Sequence, residues 1–570
     1  MSYKSIKTHE KHKPVKKYGD TILENLRNNY FLKPDGSNLD VVIQSVQSAM
    51  QGLIKKQGNG PTYPINKGIP LINEVISSSK IPIKMNKAPS SILDNLYSMV
   101  QGSIKAGNPF MVKNLIPVPS IPALASYLAV STYMANGVSG EDSGQILLAE
   151  IACASALSKL AEIDHNKSAG VFTFGGTGTN LYAMKIGLSK ILPNHGLEGL
   201  KDNVVVIESA PAHYSHKTGA NWLGIGQNNC IRISSNPDQT TKLDELEKTC
   251  RRVIEEGKLI VCINAVGGTT SNLGIDDVKK IYDIRERLVK AFNLSYKPHI
   301  HMDAVLGWVF LNFTNYDFKK NPLGFSINAI NQIKKILKRL KTIKYADSFG
   351  VDFHKTGYVA YVSSMVIVKN KMDLMRLQRD VSIMTPLFQD DEAYNPGKFT
   401  LETSRSSANI LATWIALQTF GQEGYQALLG HAIEMGIIFR NGIEKNYRAG
   451  LYVANQEQFG PDVFVRCYRP GSDPKTTYEK EMQQDDVLKV NTKYTSDFAL
   501  WLYKNKSAEE RGFAVSKSSA AIYTNTGKPM VALRIYPLSP YITEESAKRL
   551  IARLVKAKKE FDRFYDYKAK

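Results

Sequence analysis

The chain has 570 residues, 43% of them hydrophobic and 22% charged, with a formal net charge of +20. That is the composition of a soluble globular protein of two or three domains with a large core, and no apolar run of 18 residues or more marks a transmembrane span. The Lys-rich start lacks the apolar stretch of a secretory signal, and Cys153, Cys230, Cys250, Cys262 and Cys467 show neither disulfide nor metal spacing, so a reducing, cytoplasmic compartment and no metal are expected. The positive charge is dispersed between a basic tail (Lys4, Lys7, Lys11, Lys13, Lys16, Lys17), a helical face around Lys334–Lys344 and the C-terminus. No nucleic-acid motif accompanies it, so no nucleic-acid partner is expected, although a basic surface also draws anionic substrates or acidic membranes.

After the tail, Asn38 caps an expected helix carrying Val41, Val42, Ile43, Val46, Met50 and Leu53. Prolines from Pro61 to Pro122 make the next stretch extended and wrapping, with short helices. A helical pattern covers 150–163. From 170 the chain alternates strands (170–174, 204–207, 231–233, 259–265, 299–303) with helices (179–192, 212–223, 242–256, 276–292), which predicts βαβ units and a mostly parallel sheet. An amphipathic basic helix, a β-like segment at 359–368 and a long helix over about 404–445 follow. Shorter strands at 463–467 and 531–535 and a last helix from about Thr543 close the chain. The expected organisation is α/β: an N-terminal tail and wrapping segment (1–125), a large domain (126–440) and a small C-terminal α/β domain (441–570).

Four stretches carry chemistry. Phe174-Gly175-Gly176-Thr177-Gly178-Thr179-Asn180 lies between a strand and a helix, where glycines admit a ligand and a helix N-terminus stabilises phosphate; a capped turn reads the same way. Ala212-His213-Tyr214-Ser215-His216 follows a buried strand, so His213 either stacks on a planar ligand or caps the helix. Asp303 ends the strand His301-Met302-Asp303, and a buried carboxylate needs a cation, either a protonated ring nitrogen or an arginine. Gly268-Thr269-Thr270 adds hydroxyls at the same sheet edge. Lys355, in Asp347-Ser348-Phe349-Gly350-Val351-Asp352-Phe353-His354-Lys355, sits at a turn between buried-looking segments, where desolvation would lower its pKa and free the amine for Schiff-base chemistry. A phosphate anchor, a face for a ring, an anion for a ring nitrogen and an amine for an aldehyde describe a pyridoxal 5′-phosphate site.

In their order and wording these motifs resemble the group II pyridoxal-phosphate decarboxylases of fold type I, which act on glutamate, aspartate, tyrosine and other aromatic amino acids. The likeness covers roughly residues 107–440 and, more loosely, the C-terminal domain. It implies a fold-type I large domain and a homodimer with its active site at the interface, entered by the segment Asn108-Pro109-Phe110 with Pro117, Pro119 and Ser120. It also implies α-decarboxylation of an acidic or aromatic L-amino acid. Carried over by motif, Lys355 is the Schiff-base lysine, Asp303 holds the pyridine nitrogen and His213 stacks on the ring and assists catalysis. Thr177, Gly178, Thr179, Thr270, Ser348 and His354 bind the cofactor. Tyr394, in a segment of lid-like composition (389–397), becomes either the candidate acid or an ordinary loop tyrosine, and Arg405 either the candidate ligand for a substrate carboxylate or one half of a structural ion pair. Asp352 departs from the Asn found in many relatives and cannot donate to a phosphate while ionised, so it is expected to pair with a base. A carbon–carbon lyase resembling the sphingosine-phosphate lyases, which share an Asp-x-His-Lys segment, and an inactive basic scaffold are the alternatives.

Overall fold

The computed structural model describes residues 18–65, 70–84, 96–380, 393–457, 460–505 and 511–569. Its contacts divide into two units, Met1–Gly58 with Tyr63–Ser103, and Asn59–Thr62 with Ile104–Lys570. The smaller unit is helical, with helices Tyr18–Asn29, Leu39–Lys56, Ile72–Ser78 and Leu96–Val100. The helix expected after Asn38 forms, but the Asn38 side chain accepts from the Lys33 N–H and donates to the Phe31 carbonyl instead of capping it. The apolar side chains of Leu39–Lys56 are not buried within this unit.

The larger unit is built on a seven-stranded sheet: β1 (Ala169–Thr173), β2 (Val204–Ser209), β3 (Cys230–Ile233), β4 (Leu259–Val266), β5 (His299–Asp303), β6 (Ser348–Asp352) and β7 (Ser364–Val368). Their order is β1-β7-β6-β5-β4-β2-β3, and only β7 runs antiparallel to its neighbours. β2 and β5 are buried at every position and β4 at every position but its first, as strands covered by helices on both faces must be. In such a sheet the loops beyond the carboxyl ends of the parallel strands form the ligand crevice.

Element boundaries differ from the sequence expectation where a side chain intervenes. The helix expected from 212 starts at Ser215, whose N–H is taken by the His213 ring. The β-like stretch from 359 becomes a strand only at Ser364, because the N–H groups of Phe353 and His354 both close onto the Ser363 carbonyl and hold 354–363 as a loop. Arg405 precedes the long helix Ala408–Lys445, which bends at Gly421. The basic helix forms at Ile327–Leu340, with Ile330, Ile333, Ile336, Leu337 and Leu340 buried and its lysines outward.

A second, antiparallel sheet follows, ordered β10 (Ser516–Tyr523), β11 (Pro529–Ile535), β9 (Val463–Cys467), β8 (Leu451–Val453). Ala547, Leu550, Ile551 and Leu554 of the final helix Glu544–Ala569 are buried on the apolar stripe read from the sequence. Arg466 on β9 is fully buried, its guanidinium bridging both Glu481 oxygens at 2.9 Å. Among the described residues no helix is long and apolar enough to cross a membrane.

Candidate active site

At the carboxyl edge of the parallel strands lies a cavity of about 280 Å³. The turn after β1 forms one wall with Phe174, Gly175, Gly176 and Thr177. Gly175 has φ +98°, a conformation that side chains avoid, and so aims the helix Gly176–Ile191 into the cavity N-terminus first. A Cβ on Gly176 would lie 3.0 Å from both Asp352 Oδ2 and Val305 Cγ1. Gly178 and Thr179 stand behind this wall: their N–H groups both bond the Gly175 carbonyl, and the Thr179 hydroxyl donates to the Gly176 carbonyl.

His213, Thr270, Asp303, His354 and Lys355 line the same cavity, so the structure brings together the four separate motifs. The His213 Nδ1 receives the Ser215 N–H and faces its hydroxyl at 2.8 Å, and burial lowers the pKa of the ring. Asp303 Oδ2 accepts from Asn180 Nδ2 at 3.0 Å and from His216 Nε2 at 3.2 Å. Burial alone would raise the Asp303 carboxyl, but His216, Asn180 and His213 hold it well below the usual carboxylate range. The protein's own cation on this carboxylate is therefore His216, where the sequence suggested an arginine as the alternative to a ring nitrogen. Burial works against a charge on His216 as well, yet Asp303 and Glu208 together raise its pKa to about 9.

Lys355 corrects the sequence expectation of a depressed pKa. Burial does act downward, but Asp352 Oδ2 lies 2.7 Å from Nζ and the ion pair raises the amine above its ordinary value. Asp352 thus pairs with a base, as its chemistry required, while its Oδ1 accepts the Ser364 hydroxyl at 2.6 Å. His354 Nδ1 donates to the Ser363 carbonyl at 2.8 Å, and its ring lies 4.4 Å from that of Tyr361.

Besides Gly178 and Thr179, three assigned residues lie outside the lining. Ser348 is buried behind the cavity between two histidines. His301, its pKa pushed by burial to about 3, gives its Nε2–H to Asn180 Oδ1; its Nδ1 takes the Ser348 hydroxyl proton, and Ser348 accepts from His299. Tyr394 donates to Glu150 Oε2 at 3.0 Å, and Arg405 bonds the other Glu150 oxygen and the carbonyls of Gly137 and Phe172. A buried carboxylate claims both residues, and neither lines the cavity. Residues 389–392 of the lid-like segment lie outside the described residues. Asn180, His216 and Tyr361 were missed as site residues, although the first two stand inside the quoted motifs.

The conserved domain described as pyridoxal-dependent decarboxylase matches residues 75–465, well over half of the chain. The chain belongs to the pyridoxal-dependent decarboxylase family. Among curated relatives of this family, it is 28% identical over 251 residues to an L-tyrosine decarboxylase of Enterococcus faecium, an alignment covering 41% of this chain and 40% of that one. It is 26% identical to an L-2,4-diaminobutyrate decarboxylase of Rhizobium meliloti over 59% of this chain and 61% of that one. A human acidic amino acid decarboxylase is 27% identical over 59% and 60%. The chain thus spans less than two thirds of these relatives' lengths. The fold is shared with mouse CSAD in its apo form (TM-score 0.72, 17% identity, 91% of this chain and 99% of that one) and with Oryza sativa TDC solved with PLP and tryptamine (TM-score 0.72, 15% identity, 93% and 99%). The family cofactor is pyridoxal phosphate, and the donor set fits it: an amine, a buried carboxylate, an imidazole and a glycine-walled helix N-terminus face one cavity.

Proposed function

We propose that the chain is a pyridoxal-phosphate-dependent α-decarboxylase of an L-amino acid with an uncharged, aromatic side chain, working as a cytoplasmic homodimer. The observation that carries this reading is the meeting of Lys355, His213 and Asp303 in one cavity with a helix N-terminus. When bound, pyridoxal phosphate supplies an electron sink for the bond pair left as carbon dioxide departs. In this reading Lys355 would hold the cofactor through its aldehyde, and Asp352 keeps the proton on its amine when it is free. Asp303 would hold the ring nitrogen and His213 would hold the ring face. Thr177, Thr270, His354 and the helix N-terminus would hold the phosphate. Buried Val305 would exclude water beside them.

The choice of an aromatic over an acidic substrate is supported by the lining. Among the described lining residues there is no arginine, since Arg405 is held by Glu150, whereas Phe174, Tyr361 and Val362 are present. A homodimer is supported by the apolar side chains left exposed on Leu39–Lys56, and a reducing compartment by five free, buried cysteines. A second reading, a carbon–carbon lyase, draws on Asp352 in the Asp-x-His-Lys segment.

The test is carbon dioxide release by the purified, cofactor-loaded chain across the common amino acids and their aromatic derivatives, with Lys355→Ala as control. Release from aromatic substrates, lost by at least about a thousandfold in the control, is expected. Wild-type turnover in Lys355→Ala sinks the assignment, and aldehyde release without carbon dioxide turns it to the lyase.

A further inference from the structure

Behind the cavity wall, charged groups from three strands and a helix meet in a row. Glu208, fully buried on β2, accepts from Arg232 Nε on β3 at 2.7 Å through Oε1, and its Oε2 lies 3.0 Å from His216 Nδ1. The other His216 nitrogen, Nε2, lies 3.2 Å from Asp303 Oδ2 on β5. A neutral imidazole has one N–H and satisfies one carboxylate only. With a buried carboxylate on each nitrogen, the ring is matched only as the imidazolium. The series Arg232, Glu208, His216, Asp303 then alternates in sign and sums to zero. Asp303 Oδ2 is fully engaged by His216 and Asn180, whereas Oδ1 has only a 3.4 Å contact from the Val305 N–H.

We propose that His216 is a positioning residue for Asp303: clamped between two carboxylates, its imidazolium keeps Asp303 anionic and leaves Oδ1 as the oxygen presented to the cofactor's ring nitrogen. The inference rests on the reading of the cavity as a pyridoxal phosphate site. It assigns the family's ring-nitrogen anchor a support of this chain's own residues, without which a buried carboxylate would take up a proton. Two of the groups facing the row supply no charge. Cys230 beside Glu208 is held as the thiol by burial, and His301 near His216 is held neutral. His213 and Lys355 face Asp303 from the cavity side, and Tyr523 faces Glu208 and Arg232.

Two measurements on the full chain test it. In protein free of cofactor, nitrogen NMR of the His216 ring shows both nitrogens protonated at neutral pH, and Glu208→Gln moves that titration down by about one unit or more as Nδ1 loses its anion. A double-mutant cycle then reads pyridoxal phosphate affinity. His216→Leu weakens it about tenfold in the wild-type background and under about twofold in Asp303→Asn, because the effect runs through Asp303. His216→Gln, which keeps a donor to Asp303 but loses the charge, weakens affinity less than the leucine variant does in the wild-type background and not in Asp303→Asn, and it carries the cycle if the leucine variant does not fold. A neutral His216 ring in the wild type, or equal losses in both backgrounds, overturns the proposal. Failure of the wild type to bind pyridoxal phosphate would fall on the functional reading and leave the NMR result standing.

Discussion

Asp352 lies 2.7 Å from Lys355 Nζ, and this ion pair outweighs the burial that would otherwise free the amine. A raised pKa keeps Lys355 an ammonium to higher pH, which reduces the neutral amine available at any pH below it. Asp352→Asn removes the countercharge and leaves desolvation, so the pKa falls and the neutral fraction rises. Capture of the cofactor aldehyde should then accelerate by about tenfold for each unit of fall. Stopped-flow absorbance during reconstitution, repeated across pH, measures this; a profile identical to wild type contradicts it. Tyr394 illustrates the opposite error. Its composition-rich loop suggested a lid, but its hydroxyl is bound to Glu150, 244 residues away in the chain. Tyr394→Phe should cost about 1 to 2 kcal/mol of stability and leave kcat within about twofold. Thermal unfolding together with the decarboxylation assay separates the two effects. Local sequence exposed neither partner, because a buried carboxylate selects whichever cation and hydroxyl the fold brings to it.

Strands and helices of the large sheet were legible because their patterns are strong. β2 and β4 open on runs of apolar residues, and helices such as Ile327–Leu340 repeat their apolar residues at helical spacing. β10 was missed because it opens Ser-Lys-Ser-Ser at the edge of its sheet, where one side needs no apolar residue. The packing of these elements leaves narrow tolerances. β6 passes so close to the helix Gly176–Ile191 that a Cβ on Gly350 would be driven into Thr179. Gly350→Ala should therefore destabilise the protein by about 1 to 3 kcal/mol and displace the helix whose N-terminus opens on the cavity. A lowered thermal midpoint with weakened pyridoxal phosphate binding is the expected pair of results, and an unchanged midpoint refutes the packing argument.

For the whole molecule, the exposed apolar side chains of Leu39–Lys56, Ile43 and Val46 among them, bear on assembly. Their contact surface is not polar enough to be left in water without consequence. Ile43→Glu with Val46→Glu should shift the proposed dimer to monomer in sedimentation velocity, with helical content retained; an unshifted dimer places the interface elsewhere. By itself the sequence determined the alternating α/β architecture and the chemistry of four short stretches, because periodicity and functional-group identity are local properties. It could not determine that His216 is the cation on Asp303, that Asp352 raises Lys355, or that Glu150 removes Arg405 and Tyr394 from the cavity. Those outcomes depend on which buried charges meet, and only the tertiary structure brings residues this distant into the few ångströms over which a desolvated ion pair acts.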